Sequence, residues 1–140
     1  THTSVGLVYT GVEGLTLKFG TGDSGAPGAE TESTTMMASY AIGSFTLSAS
    51  NTEADNTGAA NREVDAYQLA YTVSDDISIT YGSETFDLTG NATDEEVEAF
   101  GVSYTSGGMT ISANSYEAKG AGNSATAKSD KWALTAAFAF

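Results

Sequence analysis

A chain of 140 residues is long enough for one ordinary domain. Its 18 acids against 5 bases, a net charge of −13, exclude a nucleic-acid partner, which selects basic surface. The absence of cysteine excludes disulfides and thiolate metal sites.

Hydrophobic residues make up 40%, but 7 Tyr, 6 Phe and 1 Trp are too many aromatics for a disordered chain. No apolar run approaches the roughly 20 residues of a membrane helix. What the chain shows instead, from its start, is apolar and polar residues in alternation, and a period of two marks a strand with unlike faces. In the first predicted strand, 3–10, Val5, Leu7 and Tyr9 share one face and Ser4, Gly6 and Thr10 the other. The second, 14–21, sets Leu15, Leu17 and Phe19 against Thr16, Lys18 and Gly20. The polar stretch GTGDSGAPGAETEST, 20–34, then reads as a long loop. Strands 33–42 and 44–52 put Met36, Ala38, Tyr40, Ile42, Phe45, Leu47 and Ala49 opposite Ser39, Ala41, Thr46, Ser48 and Ser50. After the polar stretch 51–63, strands 64–73 and 77–86 follow. They oppose Tyr67, Leu69, Tyr71, Val73, Ile77, Ile79 and Tyr81 to Ala66, Gln68, Ala70, Thr72, Ser78, Thr80 and Gly82. The loop-like DLTGNATDEE, 87–96, leads to strands 97–105 and 109–117. Phe100, Val102, Tyr104, Met109, Ile111 and Ala113 lie there on one face, with Ala99, Gly101, Ser103, Thr110, Ser112 and Asn114 on the other. A fourth polar stretch, 118–130, precedes the last strand, 131–140, where Trp132, Leu134, Ala136, Phe138 and Phe140 alternate with Lys131, Ala133, Thr135, Ala137 and Ala139. No segment carries a 3.6-residue period, so no helix is expected.

The strands repeat as hairpins. LVYTGVEGLTLKFG (7–20), ASYAIGSFTLSAS (38–50), LAYTVSDDISITYG (69–82) and VSYTSGGMTISAN (102–114) align, and their Tyr9, Tyr40, Tyr71 and Tyr104 are spaced by 31, 31 and 33 residues. Short turns within hairpins alternate with long polar connections between them.

Alternation of this kind fits a soluble β-sandwich, greasy inside and wet outside, or a membrane β-barrel, greasy outside and polar inside. Three features favour the barrel. The polar face is small and uncharged, where a soluble sandwich would carry Lys and Glu for solubility. Aromatics gather beside the short turns, as an interfacial girdle requires: Tyr9, Tyr40, Phe45, Tyr71 and Tyr104, with Phe138 and Phe140 on the last strand. The long connections all fall on one side. On this reading Lys18, Gln68, Thr80, Glu84, Ser112 and Lys131 line the pore. The charged ones would bias which ions pass, or else pair with neighbours at the rim.

Of the acids, only Glu13, Asp75 and Asp76 sit in short turns, so one mouth is expected to be strongly acidic. Asp94, Glu95 and Glu96, in the run DEEVE, offer hard oxygen ligands for a structural Ca²⁺; the competing reading is a solvated loop. No other cofactor is expected. His2 is the only histidine and has no partner spacing, so no metal or triad site is supported. With no phosphate-binding glycine motif either, an enzyme is not expected.

VYTGVEGLTLKFG and VSYTSGGMTISAN are similar to hairpins of alphaproteobacterial porins, and WALTAAFAF resembles the C-terminal insertion signal of outer-membrane barrels. Over essentially its whole length the chain resembles the C-terminal half of a Gram-negative general-diffusion outer-membrane porin. The resemblance implies a large antiparallel barrel, typically of 16 strands, in the bacterial outer membrane. It would form a homotrimer in contact with membrane lipid and lipopolysaccharide. Its water-filled channel would pass small hydrophilic solutes and ions by passive diffusion, with a modest cation preference from the acidic mouth. Short turns would face the periplasm. Nine strands is an odd number, whereas bacterial single-chain barrels have an even one, so the chain is expected to be one segment of a larger barrel. The alternative is a small structural or adhesive outer-membrane barrel with a plugged interior; a secreted sandwich is a third reading.

Overall fold

A computed structural model describes residues 2–139, so the expectation for Phe140 lies outside the described residues. The chain is all-β. Nine antiparallel strands form one sheet in the order of the sequence. They are β1 (His2–Val12), β2 (Leu15–Ala26), β3 (Ala29–Ile42), β4 (Phe45–Asn56), β5 (Arg62–Ser74), β6 (Ile77–Leu88), β7 (Glu95–Ser106), β8 (Met109–Lys119) and β9 (Lys128–Phe138). The only helical element among the described residues is a 3-10 turn, Ala121–Asn123. The sheet is open: β1 and β9 each have one neighbour.

All nine expected strands are present, but they run longer than the sequence reading, 11 to 14 residues each. The stretch 20–34 is not a loop. β2 and β3 pair through it to Ala26 and Ala29, and only Pro27 and Gly28 turn the chain. Connections 57–61, 89–94 and 120–127 are likewise shorter than expected. The physical reason is that polar residues look loop-like only while a strand is assumed to have an apolar face. Along 20–34 both faces become polar beyond the alternating part, yet the backbone ladder continues. Hydroxyl and amide contacts bridge it: Thr31 Oγ1 donates to Asn56 Oδ1 at 2.7 Å, and the Thr35 and Thr52 hydroxyls lie 3.1 Å apart.

The expected face parity holds in register. One row of registered cross-strand partners runs Leu15, Tyr40, Leu47, Leu69, Tyr81 and Phe100. A row on the opposite face runs Thr16, Ser39, Ser48, Gln68, Gly82 and Ala99. The tight turns 13–14, 43–44, 75–76 and 107–108 share one device. The carbonyl of the second turn residue accepts from the strand that follows the hairpin: Ala41 N to Gly14 O at 2.8 Å, Thr72 N to Ser44 O at 2.9 Å, Thr105 N to Asp76 O and Ala139 N to Gly108 O, both at 2.8 Å. Each turn therefore closes lower than the one before. The first closes at the row of Leu15 and Tyr40, and the next at Ile42 and Phe45, two residues on. Ile77 and then Ser106 repeat the two-residue step. A slip of about 6.6 Å for every two strands, themselves about 9.6 Å across, inclines the strands by about 35° to the normal of the line of turns.

No layer covers the sheet. Ala54, 3% exposed, is the one buried hydrophobic residue among those described.

Gly14 has φ +76°, and a Cβ there would run into the Ala41 carbonyl; Gly28 has φ +85° but open space around it. Both substitutions to Ala carry the left-handed penalty of about 1 kcal/mol, and only Gly14→Ala also breaks a turn-to-strand bond. In urea unfolding followed by circular dichroism, Gly14→Ala should lose at least about 1 kcal/mol more than Gly28→Ala.

Candidate pore face and acidic rim

The two faces of the sheet are chemically distinct. On one, Val5, Leu7, Leu17, Phe19, Met36, Leu47, Leu69, Leu134 and others stand exposed; Trp132 is 81% exposed and Leu134 67%. The expected girdle residues Tyr9, Tyr40, Phe45, Tyr71, Tyr104 and Phe138 all lie on this face near the short turns. Phe45 and Tyr71 stack with centroids 4.4 Å apart. Tyr9 needs Gly11: a Cβ there would lie 2.6 Å from the Tyr9 hydroxyl, so the ring folds over the bare backbone of a β-bulge between Tyr9 and Val12.

A second aromatic line escaped the sequence reading. Phe19, Tyr67, Tyr81, Phe100 and Trp132 border the apolar band on the side away from the short turns. The distance of Phe19, Tyr67, Tyr81 and Phe100 from their short turns, five to eight residues, was the available signal.

The opposite face carries every residue proposed to line a pore. Lys18 and Glu84 lie in one row with Met37, Ser50 and Ala66 between them. Four strand spacings, about 19 Å, separate the two, too far for a pair. Gln68 and Lys131 share the next row, through Gly82, Ala99 and Tyr116. Thr80 and Ser112 lie in the rows nearer the short turns, Thr80 beside Gly101 and Ser112 beside Ser103. Small residues are needed here: a Cβ on Gly101 would lie 2.8 Å from both Thr80 Oγ1 and Asn114 Oδ1. The face is less uniformly polar than expected. Val64, Phe86, Val97 and Tyr116 have the same parity toward the longer connections. They lie in stretches where the alternation was not followed far enough.

The acids partition unexpectedly. Those outside the short turns share the parity of the apolar face, except Glu84, Glu95 and the loop residue Asp94. They form rows just beyond the apolar band: Glu53, Glu63 and Asp87 in one, Glu98, Glu117 and Asp130 in another. Like charges directly opposite repel, and the rows contain partial remedies. Asn51 donates to Glu63 at 2.7 Å and to Asp65 at 3.1 Å. Tyr81 Oη donates to Glu98 at 2.7 Å. Lys119 pairs with Glu117 at 2.9 Å and reaches Glu98 at 4.0 Å. Both ends of this ion pair lie beyond the apolar band. The Lys119 ammonium holds the Glu117 carboxyl below its usual range, and Glu117 raises Lys119.

Glu95 and Glu96 are successive in β7 and face opposite ways. Glu95 accepts from Gly122 N at 3.4 Å, while Glu96 is registered against Lys119. The structure therefore does not bring Asp94, Glu95 and Glu96 together, and no group of three His, Asp or Glu side chains converges among the described residues. The side chain of His2 lies outside the description. No family model matches the chain, and no curated protein matches it either.

Lys119→Ala should leave the Glu96 and Glu98 carboxylates without their nearest ammonium and Glu117 with only the weaker influence of Lys128. The thermal midpoint at pH 7 should fall in 20 mM salt and recover most of the loss in 1 M salt, where charges are screened beyond about 3 Å.

Proposed function

We propose that this chain is wall segment of an outer-membrane porin, a transmembrane β-barrel with a water-filled channel for small hydrophilic solutes and ions. The single observation that carries this reading is one layer of sheet with an apolar face that nothing covers and a small, mostly polar face behind it. In water the first face would need a second layer; lipid supplies that cover without one. The tilt of about 35° lies within the range of about 35–45° for barrel strands. The apolar band is three to four outward residues deep, about 16–22 Å at that tilt, against about 25 Å for such barrels. Neutral Thr21, Thr34, Ser83, Thr85 and Ser115 on the same face extend it by about 5 Å for each further outward residue.

β1 and β9 run in the same direction. Antiparallel closure therefore takes an odd number of further strands, consistent with the 16-stranded barrel that the resemblance implies; the homotrimer rests on the resemblance alone. Most acids lie on the outward face of the rim, while the inward face holds Lys18, Arg62 and Lys131 against Glu84 and Glu95. A modest cation preference then comes from the long-range potential of the rim.

A smaller structural or adhesive barrel is the second reading. The inward Val64, Phe86, Val97 and Tyr116 favour it, because a plug would cover them.

Reconstitution of the whole barrel that contains this chain, in planar lipid bilayers, tests the proposal. Stepwise conductance is expected, with cation preference at 0.1 M KCl that fades at 1 M as the screening length drops from about 10 to about 3 Å. Anion preference at 0.1 M overturns the selectivity; no conductance favours the plugged barrel. Recovery from cell washes without detergent overturns both membrane readings.

A further inference from the structure

The inward face holds a trough of about 420 Å³, within the range of about 300–1,000 Å³ typical of ligand sites. Its floor is Gly82 and Ala99, cross-strand neighbours in β6 and β7. In the same row Gln68 stands at one side and Tyr116 at the other, three strand spacings or about 14 Å apart. Glu84 and Val97, again paired across strands, close the end toward the acidic rim.

Glu84 makes no ion pair among the described residues. Its row neighbours are Ala66 and Val97, neither able to neutralise it. The charged inward side chain diagonal to it is another acid, Glu95, registered against Phe86 one row on. A carboxylate beside apolar floor and wall, with an aromatic ring across the trough, is complementary to a cation that carries hydrocarbon. The ammonium group meets Glu84. The apolar part lies over Gly82 and Ala99, between Val97 and the Tyr116 ring, whose face also attracts cations. An anion meets repulsion there, and a neutral solute forgoes the ion pair.

We infer that this trough is a subsite for small primary organic ammonium ions. The inference names a solute class for the channel reading and rests on it for any role in transport. Binding itself is measurable without a channel.

The test uses the full chain in detergent micelles with methyl-labelled alanine, following the Ala99 signal as benzylammonium, benzyl alcohol or benzoate is added. Benzylammonium should shift Ala99 saturably and bind about fivefold or more tighter than benzyl alcohol, with benzoate weakest. Glu84→Gln should remove that preference for the amine. Gly82→Val should fill the floor and abolish binding of all three. It is tolerated by the fold, since a Cβ at Gly82 meets only the Tyr67 carbonyl at an ordinary 3.6 Å. Equal binding of amine and alcohol, or an unchanged amine affinity in Glu84→Gln, overturns the inference. Bilayer conductance of the whole barrel that contains this chain reports separately on the channel: conductance with no amine preference in binding sinks the subsite alone.

Discussion

The bond from each tight-turn carbonyl to the strand beyond its hairpin is the constraint on which the rest of the sheet depends. Ala41 N to Gly14 O is the first of the series, and it fixes how far β3 slides along β2. Side chains alternate along a strand, so a slip of one residue would exchange the two faces completely. Leucines and tyrosines would then point where serines and glycines now stand. The glycine at the turn is part of the bond, since a side chain at Gly14 would occupy the Ala41 carbonyl's place.

With register set, each strand carries two messages along its length. Near the short turns, large apolar groups stand on one face and Ser, Thr, Gly and Ala on the other. Toward the longer connections the polarity inverts: Asp65, Thr85, Glu96 and Glu98 stand where the apolar groups stood, and Val64, Phe86 and Val97 appear behind them. The change falls at the aromatic border of Tyr67, Tyr81 and Phe100. Tyr81 joins the two regions directly, its ring on the apolar side and its hydroxyl bonded to Glu98. A tyrosine suits such a boundary because its body is apolar and its tip is not.

Strand number, face parity and the tight turns were legible in the sequence, because each is a local property of the chain. Val5, Leu7 and Tyr9 announce their face without reference to anything else. Strand length was not legible: Asp23, Ser24 and Gly25 are loop-forming types, and only pairing with Thr31, Glu32 and their neighbours makes them strand. The direction of acids assigned to loops, such as Asp23, Glu53 and Asp87, was missed for the same cause, since a residue in a loop has no face; Glu98, placed on a strand, was read on the face of Phe100, where it lies. The trough at Gly82 and Ala99 was beyond reach as well. It requires knowing that Gln68 and Tyr116, far apart in the chain, share one row.

The stagger of two residues per hairpin separates two dimensions of the sheet. Its height is written inside each hairpin, in the distance from a turn to the far aromatic border. Its width is simply the number of hairpins strung together, each handing the same offset to the next. A duplication or loss of one whole unit of about 31 residues, the spacing from Tyr9 to Tyr40 and from Tyr40 to Tyr71, changes the width while leaving every remaining side chain on its own face and at its own level. Growth of such a sheet needs no redesign of the parts already there.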